Sequence, residues 1–280
     1  MNLKCGIVGL PNVGKSTLFN ALSNAGAESA NFPFCTIDPN VGLVQVPDER
    51  LDILANLVTP KVTVPATIEF VDIAGLVKGA SEGKGKGNAF LSHIREVDLI
   101  LHVVRCFDDE DIIHVEGSVD PERDITIIEE ELILKDLESA EKRLENLRKQ
   151  SKSGDKKIKE DYEVMVRLTE HLADGKSART FQATEEERLS YRDLFLLSDK
   201  PVLYACNVSE DDIQDGNEYV DIVKSIAEKY GNNTVTFCAR IEAEIAELEP
   251  EEKEMFLEEI VLCNSVFNLF EKYFEYDYDK

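Results

Sequence analysis

The octapeptide Gly9-Leu10-Pro11-Asn12-Val13-Gly14-Lys15-Ser16 fits the pattern G-x-x-x-x-G-K-[ST]. It follows the apolar run Leu3–Val8 and precedes a helical pattern from about Lys15 to Ser23. A strand, a glycine-rich turn and a helix in that order leave few folds open. Backbone N–H groups must turn inward toward phosphate oxygens, and glycine lets the chain wrap that closely. The helix starting at Lys15 adds the positive end of its dipole. Lys15 then reaches the β- and γ-phosphates, and the Ser16 hydroxyl binds Mg²⁺. By composition alone such a match arises in roughly one chain of this length in a hundred.

The next elements agree with this start. Val41–Val46, Thr67–Ile73 and Asp98–Arg105 read as strands, and 48–58 reads as a helix. Strands separated by helices predict an α/β fold, a P-loop NTPase with a mostly parallel sheet flanked by helices. From Ile125 to Gln150 there is no strand signal. Ile133, Leu137, Ala140, Leu144 and Leu147 repeat at spacings of 4, 3, 4 and 3, a coiled-coil seam. Ser151–Asp155 breaks it, and Met165, Leu168 and Leu172 mark a second helix that stops at Gly175. This predicts an inserted antiparallel α-helical hairpin. Thr184 and Glu187 fit a capping box opening a helix toward Leu197. Strand signals return at 202–208 and 234–239, around a helix over 218–230. The expected organisation is a nucleotide-binding domain in two parts, 1–124 and 199–280, with the helical insertion at 125–198 between them.

Charge narrows the function. The 280 residues carry 31 Lys and Arg against 56 Asp and Glu, a net of −25, which argues against a general affinity for nucleic acid or anionic membranes. No apolar run approaches the roughly 18 residues that span a bilayer, and the N-terminus has no secretion signal. The expectation is a cytoplasmic protein with no membrane partner. The six cysteines are at least 25 residues apart, so no C-x-x-C pair exists, and those at 5, 106, 206 and 238 fall in or beside strand-like runs as reduced core residues. One stretch opposes the total. Residues 141–160 hold eight basic side chains (Lys142, Arg143, Arg148, Lys149, Lys152, Lys156, Lys157, Lys159) and four acidic ones, flanking the hairpin tip. A basic tip on a stiff arm fits RNA phosphates; a solvated helical surface is the alternative.

Asp72-Ile73-Ala74-Gly75 closes the third strand. In a P-loop nucleotidase an Asp there holds Mg²⁺ through water, and the Gly N–H meets the γ-phosphate. Thr36, between the two motifs, is the natural second hydroxyl for Mg²⁺.

Gly9–Thr17, Asn31-Phe32-Pro33-Phe34-Cys35-Thr36, Asp72–Ala80 and Asn207-Val208-Ser209-Glu210 together resemble the Obg-like ATPases of the YchF type, over residues 1 to about 259. The resemblance implies a nucleotidase acting on or near the ribosome and preferring ATP over GTP. It places Asn12, Val13, Gly14, Lys15, Ser16 and Thr17 on the phosphates, and Asn207, Val208, Glu210, Cys238 and Ala239 around the base. For Cys238 a core role is equally open. Ser16, Thr36 and Asp72 are the metal ligands. Asn12 resembles the P-loop Asn by which some relatives bind K⁺. Relatives also continue into a small β-grasp TGS domain, to which the aromatic, acidic stretch 261–280 shows no likeness.

Base choice has a physical reading. In N-K-x-D the Asp accepts two hydrogen bonds from guanine. Glu210 adds a methylene and cannot occupy the same position, and Val208 replaces the Lys stem that covers the base. Loss of the Asp also removes a repulsive contact with adenine N1. ATP is expected to bind at least as well as GTP. Leu76 stands where many GTPases have a water-orienting Gln, so intrinsic hydrolysis should be slow, with the glycine-rich stretch 78–87 available to close over the site. Among four histidines, His114 after the fourth strand is the candidate water activator, so that Lys15, Gly75 and His114 form the catalytic set. A monomer is expected. A GTP-preferring switch, a nucleotide-sensing binder with negligible turnover and a P-loop small-molecule kinase remain as alternatives.

Overall fold

The computed structural model describes residues 3–27, 41–46, 48–73, 93–151 and 155–248. Thr36, Gly75, Leu76, the 78–87 stretch, Lys152 and the aromatic segment 261–280 lie outside the described residues. The elements are β1 (Leu3–Val8), α1 (Lys15–Ala27), β2 (Val41–Gln45), α2 (Glu49–Val58), β3 (Thr67–Asp72) and β4 (Leu99–Arg105). They continue as α3 (Pro121–Gln150), α4 (Lys156–Ala173), α5 (Glu185–Arg188), β5 (Val202–Asn207), α6 (Glu218–Lys229), β6 (Asn233–Phe237) and α7 (Ala239–Glu247). They fall into two compact units. One holds the described residues up to 73 with 97–121 and 202–248; the other holds 93–96 and 122–201.

The first unit is built on a six-stranded sheet of order β2-β3-β1-β4-β5-β6. Every described pairing is parallel except β2 with β3. All seven residues of β4 and all six of β5 are buried, the mark of strands covered on both faces. Edge strand β2 alternates between buried and half-buried positions. α1 packs on α7 and β2, and α6 packs on β5 and β6. From β1 the chain runs to β2 and β3 on one side and then returns to β4 on the other, so a crevice opens at the carboxyl end of β1, where such sheets bind ligands. Cys5, Cys106, Cys206 and Cys238 of this unit are free and buried.

The second unit is the helical hairpin and a strap over it. α3 starts at Pro121, four residues before the expected Ile125. Proline suits a first helical position because its missing N–H would be unpaired anyway. Glu122 and Asp124 in the first turn and Arg148 and Lys149 in the last complement the dipole. Asp155 caps α4 by accepting from the Lys157 N–H (2.8 Å) and the Ile158 N–H (3.3 Å). The seam packs as its spacing requires. Ile133, Ala140 and Leu147 are buried with Val164, Met165, Leu168 and Leu172, and Leu137 and Leu144 lie against them.

The strap departs from expectation. The capping box forms, with Glu187 N–H donating to Thr184 Oγ1 and Thr184 N–H to Glu187 Oε2. The helix it opens stops at Arg188 instead of reaching Leu197. A helix through 197 and 198 would spend those N–H groups on carbonyls four residues back. Asp136 takes them instead, accepting from Leu197 N–H and Ser198 N–H (2.7 Å each) and from Ser198 Oγ–H (2.6 Å). Tyr191 and Leu196 are thereby drawn into the hairpin core. Tertiary capture has overridden local propensity.

At the hairpin tip, four of the seven described basic side chains have acidic partners. Arg143 pairs with Asp193, Lys149 with Glu145, Lys156 with Glu160 and Lys157 with Asp161. These pairs are exposed and weak.

Candidate functional site

The glycine-rich loop runs from the end of β1 into α1. Gly9 has φ +153° and lies so close to β4 that a Cβ would sit 2.4 Å from the Val103 carbonyl oxygen. Gly14 has φ +98°, and a Cβ there would meet Asn207 Nδ2 at 2.4 Å. Glycine is required at both positions by backbone angle and by space. Asn12 takes the left-handed conformation at φ 61°, which asparagine tolerates better than most residues.

Lys15 is buried, and its Nζ donates to the Leu10 carbonyl at 2.7 Å, inside the loop. Burial pulls its pKa down to about 8, with the Asp72 carboxylate acting in the opposite direction. The β1–β3 register sets Asp72 beside Ile7, two residues before the loop begins. Burial raises the Asp72 pKa and Lys15 lowers it. Its Oδ1 is buried and has no hydrogen-bond partner among the described residues. Ser16 and Thr17 are exposed at the start of α1.

Beyond β5, Asn207 is 4% exposed and ties three segments together. Its Nδ2 donates to the Val13 carbonyl (3.0 Å), and its Oδ1 accepts from the Ala239 N–H (2.9 Å). Val208 is inside the core, its N–H donating to the Phe237 carbonyl, so its side chain offers little surface to a base. Glu210 is exposed and pairs with Arg240 at 3.2 Å. Cys238 precedes α7 and packs with Ile241, Ile245 and Ile213, a core role for its side chain; burial raises its pKa.

His114 is buried in the loop after β4, and its Nδ1 accepts from the Glu116 N–H at 3.2 Å. The neighbouring Ile113 carbonyl receives Asn12 Nδ2 at 3.1 Å. The structure therefore brings the His114 loop to the glycine-rich loop. The other histidines are elsewhere. His102 packs on Tyr204 across β4 and β5, His171 contacts Ser177 and Thr180 in the hairpin unit, and His93 is exposed in that unit.

Sequence reasoning missed two residues and one pairing. Arg240 follows Cys238 and Ala239 in the base-proximal segment, but nothing in one sequence pairs it with Glu210. Asn217 caps α6 and holds the Cys106 carbonyl at 2.8 Å. Arg105 is 1% exposed; its signal was available, a charge closing a strand otherwise apolar but for His102.

The comparisons agree on one family. A family model described as a 50S ribosome-binding GTPase matches residues 4–152. The chain is 56% identical over 267 residues to the ribosome-binding ATPase YchF of Bacillus subtilis (strain 168), covering 95% of this chain and 73% of that protein. It is 52% identical over 262 residues to the protein of the same name from Escherichia coli O157:H7, covering 94% and 72%. Among solved structures, the Schizosaccharomyces pombe YchF GTPase matches with a TM-score of 0.85 and 40% identity, over 98% of this chain and 75% of that one. The chain belongs to the YchF, or Obg-like, family of P-loop nucleotidases.

Proposed function

We propose that this protein is a Mg²⁺-dependent nucleotidase that hydrolyses ATP to ADP and phosphate and serves as a ribosome-associated switch. The observation carrying the hydrolase reading is the buried Lys15 ammonium in the loop, beside an Asp72 whose buried oxygen has no partner among the described residues. A polyphosphate entering the loop gives Lys15 a stronger acceptor than the Leu10 carbonyl. The loop N–H groups and the amino end of α1 supply further donors. Residues 1–124 and 199–280 would be the nucleotide domain and 125–198 the arm that carries its state to a partner.

The donor set suits magnesium. Ser16 is exposed and offers its hydroxyl, Asp72 offers a carboxylate oxygen that has no hydrogen-bond partner among the described residues, and Thr36 would be the third ligand. With so few protein ligands, phosphates and water would complete the shell. The metal would neutralise charge building on the transferred phosphoryl group. Lys15 and the Gly75 N–H would hold that group, and His114 would orient the attacking water. Asn12 is the candidate K⁺ ligand, Thr17 a further phosphate contact, and Asn207 with Ala239 the frame around the base.

Glu210 is engaged by Arg240 and carries the longer side chain, so the guanine-selecting contact is weakened and ATP competes. No described helix is long and apolar enough to cross a membrane. A monomer in the cytoplasm is the reading that fits a ribosome-associated role. The deciding experiment is a multiple-turnover phosphate-release assay with ATP or GTP, in K⁺ or Na⁺, with and without ribosomes. We expect slow ATP turnover, faster with ribosomes and in K⁺, and lost in His114→Ala. GTP binding more than about tenfold tighter than ATP, some 1.4 kcal/mol, would reverse the substrate assignment. Absence of turnover in every arm would leave a nucleotide-sensing binder.

Ribosome contact through the hairpin tip has its own test. Lys142, Arg148 and Lys159 form no ion pair among the described residues, and the exposed pairs of Lys156 and Lys157 are easily exchanged for phosphates. Charge reversal at Lys156, Lys157 and Lys159 should weaken ribosome co-sedimentation at least about tenfold and flatten its salt dependence. Unchanged binding would show the tip to be an ordinary solvated surface.

A further inference from the structure

We propose that Arg105 is a positioning residue for the nucleotide site, fixing the 107–115 loop that clamps Asn12 of the phosphate loop and carries His114. The inference rests on the nucleotidase reading for its effect on turnover, but its structural core can be tested without activity.

Arg105 ends β4 and is 1% exposed. A buried guanidinium is costly unless its donors are satisfied. No carboxylate pairs with it among the described residues; carbonyls of the following loop surround it instead. Nε donates to Phe107 (3.1 Å), Nη1 to Ile112 (2.9 Å) and Nη2 to Asp109 (3.2 Å). The Phe107 ring covers the guanidinium at 4.7 Å. A requirement of the strand alone would be met by an apolar residue. These contacts lie at three separate points of the loop, so their effect is to set its path.

That path ends at the site. One residue after the captured Ile112 carbonyl, the Ile113 carbonyl receives Asn12 Nδ2. His114 follows, its turn closed by Gly117 N–H to the His114 carbonyl (3.0 Å) and Glu116 N–H to its Nδ1. Ile113 is 78% exposed and Val115 44%, and only His114 between them is buried. The Arg105 fork and the Asn12 amide fix this stretch, with Tyr219 O–H donating to Asp108 Oδ2 (2.8 Å) near its start. Lysine cannot replace the fork, because one ammonium does not reach three diverging carbonyls.

The experiment is amide hydrogen exchange on the full chain, with phosphate release measured in parallel, for wild type, Arg105→Lys, Asn12→Ala and the double variant. We expect Arg105→Lys to speed exchange about tenfold or more over 107–117 and also over 9–14, with 101–104 and 203–206 still protected. Turnover should fall about tenfold or more while the KM for ATP stays within about twofold. On the Asn12→Ala background, Arg105→Lys should add little at 9–14, because the link is already cut. Loosening of 107–117 with unchanged exchange at 9–14 would overturn the proposal, as would additive effects in the double variant. If Arg105→Lys does not fold, Phe107→Leu removes the covering ring but keeps every carbonyl. It should give the same pattern, smaller, and failure to transmit to 9–14 would again overturn it. A wild type without turnover would refute the nucleotidase reading and leave the exchange result to decide this one.

Discussion

Methionine at position 15 should reduce ATP turnover at least about a hundredfold while leaving the sheet unit folded. The turnover loss follows from removing the only side-chain cation that the loop holds among the described residues, with charge stabilisation at a transferring group worth two to three orders of magnitude. Retention of the fold follows from burial. Lys15 is enclosed at the expense of its charge, with its pKa pulled to about 8, and methionine fills similar space without that penalty. The shift fixes the direction of two pH effects. Between about pH 8 and the ordinary lysine value of 10.5, the unfolded chain keeps a proton that the folded chain has lost. Wild type therefore gains stability relative to Lys15→Met as pH rises through that window. Nucleotide affinity moves the other way. Bound phosphate favours the ammonium, so ATP binding should weaken as pH rises above about 8, by at most about tenfold per pH unit. Calorimetric titration from pH 7 to 9.5 checks this, and an affinity independent of pH would contradict the assignment of Lys15 to the phosphates.

Alanine at position 136 should destabilise the hairpin unit by on the order of 3–5 kcal/mol. Asp136 is fully buried, and its loss strands two backbone N–H groups and disturbs the Ser198 hydroxyl that also accepts from the Ala178 N–H. Asparagine should cost less, since one of its two terminal atoms still accepts. Burial raises the Asp136 pKa to about 6 in spite of the three hydrogen bonds it receives. The folded chain then holds a proton more tightly than the unfolded one. The stability this brings is complete below the ordinary value of 3.8 and is lost as pH rises through about 6. Urea unfolding of wild type against Asp136→Asn between pH 4 and 7 isolates this contribution, which the variant lacks. Parallel pH profiles would refute it.

Much of the sheet unit could be read from residues because local signals and tertiary demand coincide there. The octapeptide forces strand, turn and helix, and β4 and β5 are apolar enough that only a doubly covered strand suits them. The hairpin seam was equally legible, because a 4-3 repeat has few other uses. The strap was not. Its capping box is genuine, yet its length is set by Asp136, 61 residues from Leu197 in sequence. The site was legible where a motif is contiguous, as at Lys15 and Ser16. It was opaque where partners meet only in space. The Asn12 contact to Ile113 spans 101 residues and the Asn207 contact to Val13 spans 194. No periodicity or spacing announces such a contact.

The parallel pairing of β4 with β5 bears on how the chain folds. Two parallel neighbours cannot be joined by a tight turn and need a crossover of a dozen residues or more. Here that crossover is the whole stretch 106–201, including the hairpin unit. Before β5 can zip onto β4, the ends of this long segment must be brought together. A disordered segment makes that entropically harder, though only slowly with length. The hairpin has its contacts close in sequence and can form early, shortening the effective loop. The arm then acts as a kinetic template for the central strands as well as a part of the finished molecule. Asp136→Ala should therefore slow sheet formation in stopped-flow refolding. Unchanged refolding with faster unfolding would show that the strap closes only after the sheet has formed.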